Sequence, residues 1–150
     1  MNKVVLIAKE WIGTPYHHQA SVKSAGTDCL GLIRGIWREL YGTEPEIPPA
    51  YSKTWGDYDK RETMLEAAER NLEKVAMVTN GRYIPNPREV HWEPGAVIFL
   101  RRLPGAVAKH CAVLADGEHI IHAYSGVGVR ETSVGIWDKH VAGIFRFPGY

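Results

Sequence analysis

Cys29 stands in the run Asp28-Cys29-Leu30-Gly31, just ahead of apolar residues at Leu32, Ile33, Ile36, Trp37, Leu40 and Tyr41. That three-and-four spacing describes one buried stripe of a helix, and Gly42 supplies the left-handed stop that commonly follows one. A thiol in the first turn meets unpaired backbone N–H groups and the positive end of the helix dipole, both of which favour the thiolate. Carried back by whole turns, the stripe reaches Cys29, so the sulfur is expected at the margin of the core, partly shielded yet reachable. Without this setting a lone cysteine is most simply a small buried hydrophobe.

A nucleophile needs a base, and the chain has seven histidines. Residues 96 to 101, 110 to 114 and 118 to 124 are short, rich in β-branched and aromatic residues and bounded by Pro-Gly or Asp-Gly, so they read as antiparallel strands. A two-residue turn at Asp116-Gly117 would oppose His110 to Ala123 and send His122 to the other face. A three-residue loop, Ala115-Asp116-Gly117 with Gly117 left-handed in a bulge, pairs Leu114 with Glu118 and His110 with His122. Both imidazoles then leave one face. The odd-length loop is the expectation, because the chemistry needs the rings together: Cys29 as nucleophile, His110 as general base, His122 as the group that orients His110. Spacing alone slightly favours ordinary strand histidines bonded to carbonyls. A metal site is poorly served, since His119 and His122 are three apart on a strand and face opposite ways, and His17 and His18 are adjacent. No metal and no cofactor is expected.

Four motifs then stand in order: Gly13-Thr14-Pro15-Tyr16, Asp28-Cys29-Leu30-Gly31-Leu32, Pro94-Gly95-Ala96-Val97-Ile98-Phe99, and His110 followed twelve positions on by His122-Ala123. Together they resemble the NlpC family of cell-wall cysteine peptidases, over about the whole chain and most closely in its single-domain members from phages, prophages and gene-transfer particles. Agreement of four motifs in order tips the balance toward the catalytic reading of the histidines. The resemblance implies an α+β, papain-like fold, with N-terminal helices packed on a small antiparallel β-sheet. It implies that Cys29 attacks a carbonyl in the stem peptide of peptidoglycan, at the bond from D-glutamate to the diamino acid. His110 would relay the proton and His122 would hold His110. Tyr16 would line the pocket, Asp28 would help recognise the free amino group of the stem peptide, and backbone N–H groups, that of Cys29 among them, would hold the oxyanion. His18, which follows Tyr16 with His17, is expected to contribute to the same pocket, against the simpler reading of two solvated loop side chains. Two departures stand out. Leu30 occupies a position commonly serine, which removes one polar contact to substrate, and Cys111 occupies one commonly valine and reads as core.

The same thiol and histidines could instead serve an amidase or an acyltransferase on another substrate, since an acyl-enzyme does not specify what deacylates it. A third reading is a non-catalytic wall-binding component of a phage tail, with tail proteins as partners. A binding module has no need of Cys29, His110 and His122 together.

The elements that must position these residues fit one domain over residues 1–150, a length at which ~70% of the unfolded surface can be buried on folding. The two cysteines, both with roles other than pairing, argue against a disulfide framework. A net charge of +1 and no basic run beyond Arg101-Arg102 argue against nucleic acid. Five apolar residues, Val4 to Ala8, are too few for a signal-peptide core, and nothing is long enough to span a membrane. A protein made in the cytoplasm and reaching the wall in a phage-like particle or after lysis is the expectation. A first helix is expected over about 2 to 12, with Val4, Val5, Ala8 and Trp11 inward and Gly13 as its stop. Residues 43 to 55, with three prolines, form a long loop of the kind that rims a functional site. A second amphipathic helix is expected over about 59 to 77, with Met64, Leu65, Ala68, Leu72, Val75 and Ala76 inward. Then come an extended connection over 79 to 94 and later strands near 127 to 133 and 142 to 147. Trp55, Trp92 and Trp137 are candidates to line a groove, against the more ordinary reading as packing residues.

Overall fold

A computed structural model describes residues 1–77, 93–135 and 137–150 of the chain. The connection over 79–94, with His91 and Trp92, lies outside the described residues apart from its last two positions. Helix α1 (Lys3–Glu10) starts at Asn2, whose side-chain oxygen accepts from the N–H groups of Val4 at 2.8 Å and Val5 at 3.2 Å. It ends two residues sooner than expected, and Trp11 turns the chain inward. Val4, Val5, Ala8 and Trp11 are all buried, and the Trp11 indole N–H donates to Glu39 at 2.9 Å.

A two-stranded hairpin that the sequence did not announce, β1 (Ser21–Val22) with β2 (Gly26–Thr27), leads into helix α2 (Cys29–Tyr41). Asp28 caps α2 by accepting the Gly31 N–H at 2.7 Å, and Gly42 ends it at φ +83°. Two glycines inside α2 are there for space. A Cβ on residue 31 would collide with the Ala20 carbonyl oxygen, and one on residue 35 with the Trp11 ring. These approaches press the 13–27 segment and α1 against the helix that carries Cys29.

The second long helix divides. Helix α3 covers only Thr63–Asn71, and Glu73–Met77 form strand β3. Met64, Leu65, Ala68 and Leu72 are buried as expected, whereas Val75 is 49% exposed, outside the inward face assigned to it. The reason is tertiary. β3 pairs antiparallel with β8 (Val141–Arg146), which satisfies its backbone groups across the sheet rather than along a helix.

The main sheet runs in the order β3-β8-β4-β5-β6-β7, with β4 (Val97–Arg101), β5 (Ala108–Leu114), β6 (His119–Tyr124) and β7 (Gly128–Ser133), and every neighbouring pair antiparallel. One face, with Phe99, Cys111, Val113, Ile121 and Phe145, packs with the helices. The other carries Ile98, Leu100, Ala112, Leu114, Ile120 and Ile144.

The β5–β6 connection is odd in length, as the chemistry required, but sits one residue further on. Val113 pairs with Ile121 and Leu114 with Ile120, and the Ala115 N–H reaches the His119 carbonyl at 2.9 Å, leaving Asp116-Gly117-Glu118 as the loop. Gly117 is not left-handed. The Asp116 carboxylate closes the turn instead, accepting from the N–H groups of Glu118 at 2.7 Å and His119 at 2.8 Å. A register shift of two residues leaves the faces as they were, so His110 and His122 still leave the same side. Continued at this register, the ladder sets them diagonally rather than directly opposite, within reach for aromatic side chains.

Candidate active site

Cys29 is the first residue of α2, where free N–H groups and the helix dipole meet its sulfur. Its S–H donates to the Lys109 carbonyl at 3.6 Å, and its own carbonyl accepts the Cys111 S–H at 3.3 Å. The Cys29 thiol is held well below its ordinary range: the neighbouring Cys111 thiol, and then the His110 ring and its charge, favour the thiolate and outweigh burial. Cys111 is pushed the opposite way by the neighbouring Cys29 sulfur and by its own burial. Cys111 is thus core, as expected, and also a direct neighbour of the thiol.

His110 on β5 and His122 on β6 are joined, Nε2 to Nδ1, at 2.8 Å. His122 Nε2 lies 3.0 Å from the Thr132 hydroxyl on β7. Burial, with the charge of His110 adding to it, lowers the His122 pKa to about 4, so this ring is neutral near pH 7. Trp137 lies against both rings, its centroid 5.4 Å from His110 at an interplanar angle of 31° and 5.5 Å from His122 edge to face.

On the other side of the thiol opens a cavity of about 910 Å³ whose walls include Tyr16, His18, Asp28, Cys29, Tyr51 and Trp55. The long proline-bearing loop supplies much of that wall, as its composition led us to expect. Trp55 lies there, with the Lys109 ammonium 5.7 Å from its ring centre. Tyr16 is held protonated, its pKa raised to about 12 by burial and then by the nearby charges of Cys29 and Asp28. Asp28 is 3% exposed, and its carboxylate accepts from the Gly31 N–H, the Gln19 N–H at 2.8 Å and the Tyr51 hydroxyl. Of the adjacent histidines, His18 lines the cavity, with Nε2 2.8 Å from the Tyr51 carbonyl and Nδ1 3.9 Å from Asp28, while His17 does not.

The expected residues therefore converge in two groups that meet at Cys29. Sequence reading missed Thr132, which parity along β7 could have offered once the β6–β7 register was known, and Tyr51, for which an irregular loop gives no periodic signal. Of the two readings given for Trp137, a groove wall or a packing residue, the ring follows the second and packs on the histidine pair. Among the described residues, Asp116, His119 and Glu131 bring potential ligand atoms within 4.8 Å of one another, with Asp116 and Glu131 exposed and Asp116 already used in closing its turn. His119 points away from His122, as the strand count required.

A helix that opens on a cysteine, packed on an antiparallel sheet that carries a bonded histidine pair, defines the papain-like α+β class of thiol enzymes. The NlpC/P60 family model matches residues 13–146, and the chain belongs to that family. Solved structures agree on the fold. An NLP/P60 family protein similar to a lipoprotein, from Staphylococcus aureus, is 18% identical with a TM-score of 0.60, covering 95% of this chain and 39% of its own. The NlpC/p60 domain of the peptidoglycan hydrolase SagA is 21% identical with a TM-score of 0.56, covering 96% of each chain. NlpC1 from Trichomonas vaginalis is 17% identical with a TM-score of 0.62, covering 97% of this chain and 43% of its own. The chain thus spans about two fifths of the staphylococcal protein. No curated protein matches the chain. Among the described residues, no helix is long and apolar enough to cross a membrane.

Proposed function

We propose that the protein is an endopeptidase of peptidoglycan stem peptides, cleaving the bond from D-glutamate to the diamino acid with Cys29, His110 and His122. The observation that carries this reading is the bonded His110–His122 pair in a fold that also sets a thiol of lowered pKa at a helix start. For His110 to exchange a proton with Cys29 through Nδ1, its Nε2 must carry hydrogen and donate to His122 Nδ1. His122 then carries its own hydrogen on Nε2 and donates to Thr132. The low pKa of His122 supports this neutral tautomer.

The Cys29 thiolate attacks the scissile carbonyl carbon, and the oxyanion is met by the Cys29 N–H, a donor of a kind worth ~3 kcal/mol. His110 gives its proton to the leaving amine nitrogen as the C–N bond breaks, leaving a thioester. Water, losing a proton to His110, then attacks the thioester and releases the thiolate. Tyr16, Asp28 and His18 form the acyl-side wall, and apolar Leu30 removes a polar contact there. The particle setting, in which a phage-like tail delivers the protein to the wall, belongs to the same proposal, with tail proteins as partners.

Digestion of defined muropeptides, followed by mass spectrometry, tests the reading. Wild type is expected to release fragments cut between D-glutamate and the diamino acid, and Cys29→Ala to release none. Equal digestion by both removes the catalytic assignment. Ligated rather than hydrolysed products would make the protein an acyltransferase.

A further inference from the structure

Cys111 is a second thiol that the peptidase chemistry leaves unused, and it lies against the first. Its S–H donates to the main-chain carbonyl of Cys29 at 3.3 Å, while the Cys29 S–H donates to the carbonyl of Lys109, two residues back along β5, at 3.6 Å. Each thiol thus bonds the main chain of the other's element, and both residues belong to one buried cluster. A disulfide spans Cα atoms up to about 7 Å apart, which is about the separation at which the sulfur of one residue touches the main chain of the other. The two sulfurs differ in access. Cys29 is 9% exposed and forms part of the wall of the cavity of about 910 Å³, whereas Cys111 is 0% exposed and lies outside that wall. They differ in charge as well, since Cys29 is pushed toward thiolate while the Cys29 sulfur and burial hold the proton on Cys111. A small oxidant entering the cavity therefore meets the reactive thiol first, with the other directly at hand.

We infer that Cys29 and Cys111 form a peroxide-reactive pair, in which oxidation of the nucleophile is captured as a reversible disulfide between them. The inference concerns the sulfurs alone and stands apart from the identity of the acyl substrate. The Cys29 thiolate attacks one oxygen of hydrogen peroxide. The O–O bond breaks, Cys29 becomes a sulfenic acid, and the other oxygen leaves as hydroxide, which takes up a proton to form water. The negative charge that helped to hold the Cys111 proton is then gone. Cys111 gives up that proton and its sulfur attacks the Cys29 sulfur; the S–O bond breaks, and the departing hydroxide joins the proton as a second water. Both thiols are oxidised in a two-electron step that reduces one peroxide to two waters. The disulfide silences the nucleophile, withholds it from irreversible oxidation to sulfinic acid, and yields to a reducing thiol.

The test exposes the reduced full chain to hydrogen peroxide at pH 7, blocks remaining thiols with iodoacetamide after denaturation, and maps the peptides by mass spectrometry. Wild type is expected to lose two hydrogens and to show the peptides of Cys29 and Cys111 joined. A parallel sample is treated with dithiothreitol and then alkylated in the folded state, which reads the Cys29 thiol recovered without any peptidase substrate. Cys111→Ser, which keeps a hydroxyl donor to the Cys29 carbonyl, and Cys111→Val, which keeps an apolar side chain, are each compared with their own untreated sample. In both, Cys29 is expected to gain two or three oxygens, and its recovery to fall several-fold below that of wild type. Wild type that gains oxygen on Cys29 while Cys111 stays free overturns the inference, and this reading needs neither variant to fold. Recovery in both variants equal to that of wild type overturns it, as does a disulfide joining two copies of the chain through Cys29.

Discussion

The thiol at position 29 and the one at 111 lie side by side but are made different by their surroundings, one pushed toward thiolate and the other away from it. In the folded protein at pH 6, iodoacetamide should therefore alkylate Cys29 and leave Cys111 unmodified, as read by peptide mass spectrometry. His110→Ala should slow the Cys29 reaction by about tenfold or more, because the ring that favours the thiolate is gone. His122 makes a second prediction through linkage. Its pKa falls from 6.5 to about 4 on folding, so between those values the unfolded chain binds more protons than the folded one. Stability is then lost as pH falls from 6.5 toward 4, by up to about 3 kcal/mol from this group, with no further loss from it below. Urea midpoints at pH 7 and pH 4.5 should differ less in His122→Gln than in wild type; equal differences would place the pH sensitivity elsewhere. Removal of the third link, in Thr132→Val, should lower kcat several-fold with little change in KM, since the hydroxyl touches His122 and lies two hydrogen bonds from His110. That His110 and His122 leave one face was legible only by joining strand parity to the demand of the chemistry for an odd-length loop, since parity with a two-residue turn would have parted them. Thr132 was not, because its partner is set by a strand whose register no local signal specifies.

At the scale of elements, α2 was the easiest to read. Its apolar stripe, its Asp28 cap and its Gly42 stop all point to the same helix, and local and tertiary preferences agree. Gly31 has a sharper role than composition reveals: the Ala20 carbonyl occupies the space a side chain would need. Gly31→Ala is expected to cost about 2 kcal/mol by overpacking, a Tm drop of roughly 6 °C by circular dichroism. An unchanged Tm would mean that the 13–27 segment is free to move away. The helix expected over 59 to 77 failed in its second half for the opposite reason. Leu72, Val75 and Ala76 fit a helical stripe by count, but the open edge of β8 offered that stretch a partner, and a short apolar run cannot say which period it will adopt.

At the scale of the molecule, one set of buried residues joins α1, α2 and α3 to the sheet, from Val4 and Trp11 through Leu32 and Met64 to Phe145. Thermal unfolding followed by tryptophan fluorescence and by far-ultraviolet circular dichroism should give one coincident transition; two separated transitions would divide the chain into independent units. What the chain determined by itself was chemistry held in local pattern: a thiol placed at a helix start by a cap and a stripe, and two imidazoles on neighbouring strands that share a face once the short loop between them is odd in length. Such features depend on neighbours a few positions away, whose geometry is the same in every fold. Tertiary structure alone decided what depends on distant segments meeting. It turned the end of a helical pattern into an edge strand, brought Thr132 and Trp137 onto the histidine pair, and laid Tyr51 against Asp28. Those contacts join residues whose separation carries no periodic mark, and they form only when burial of the shared core brings the segments together.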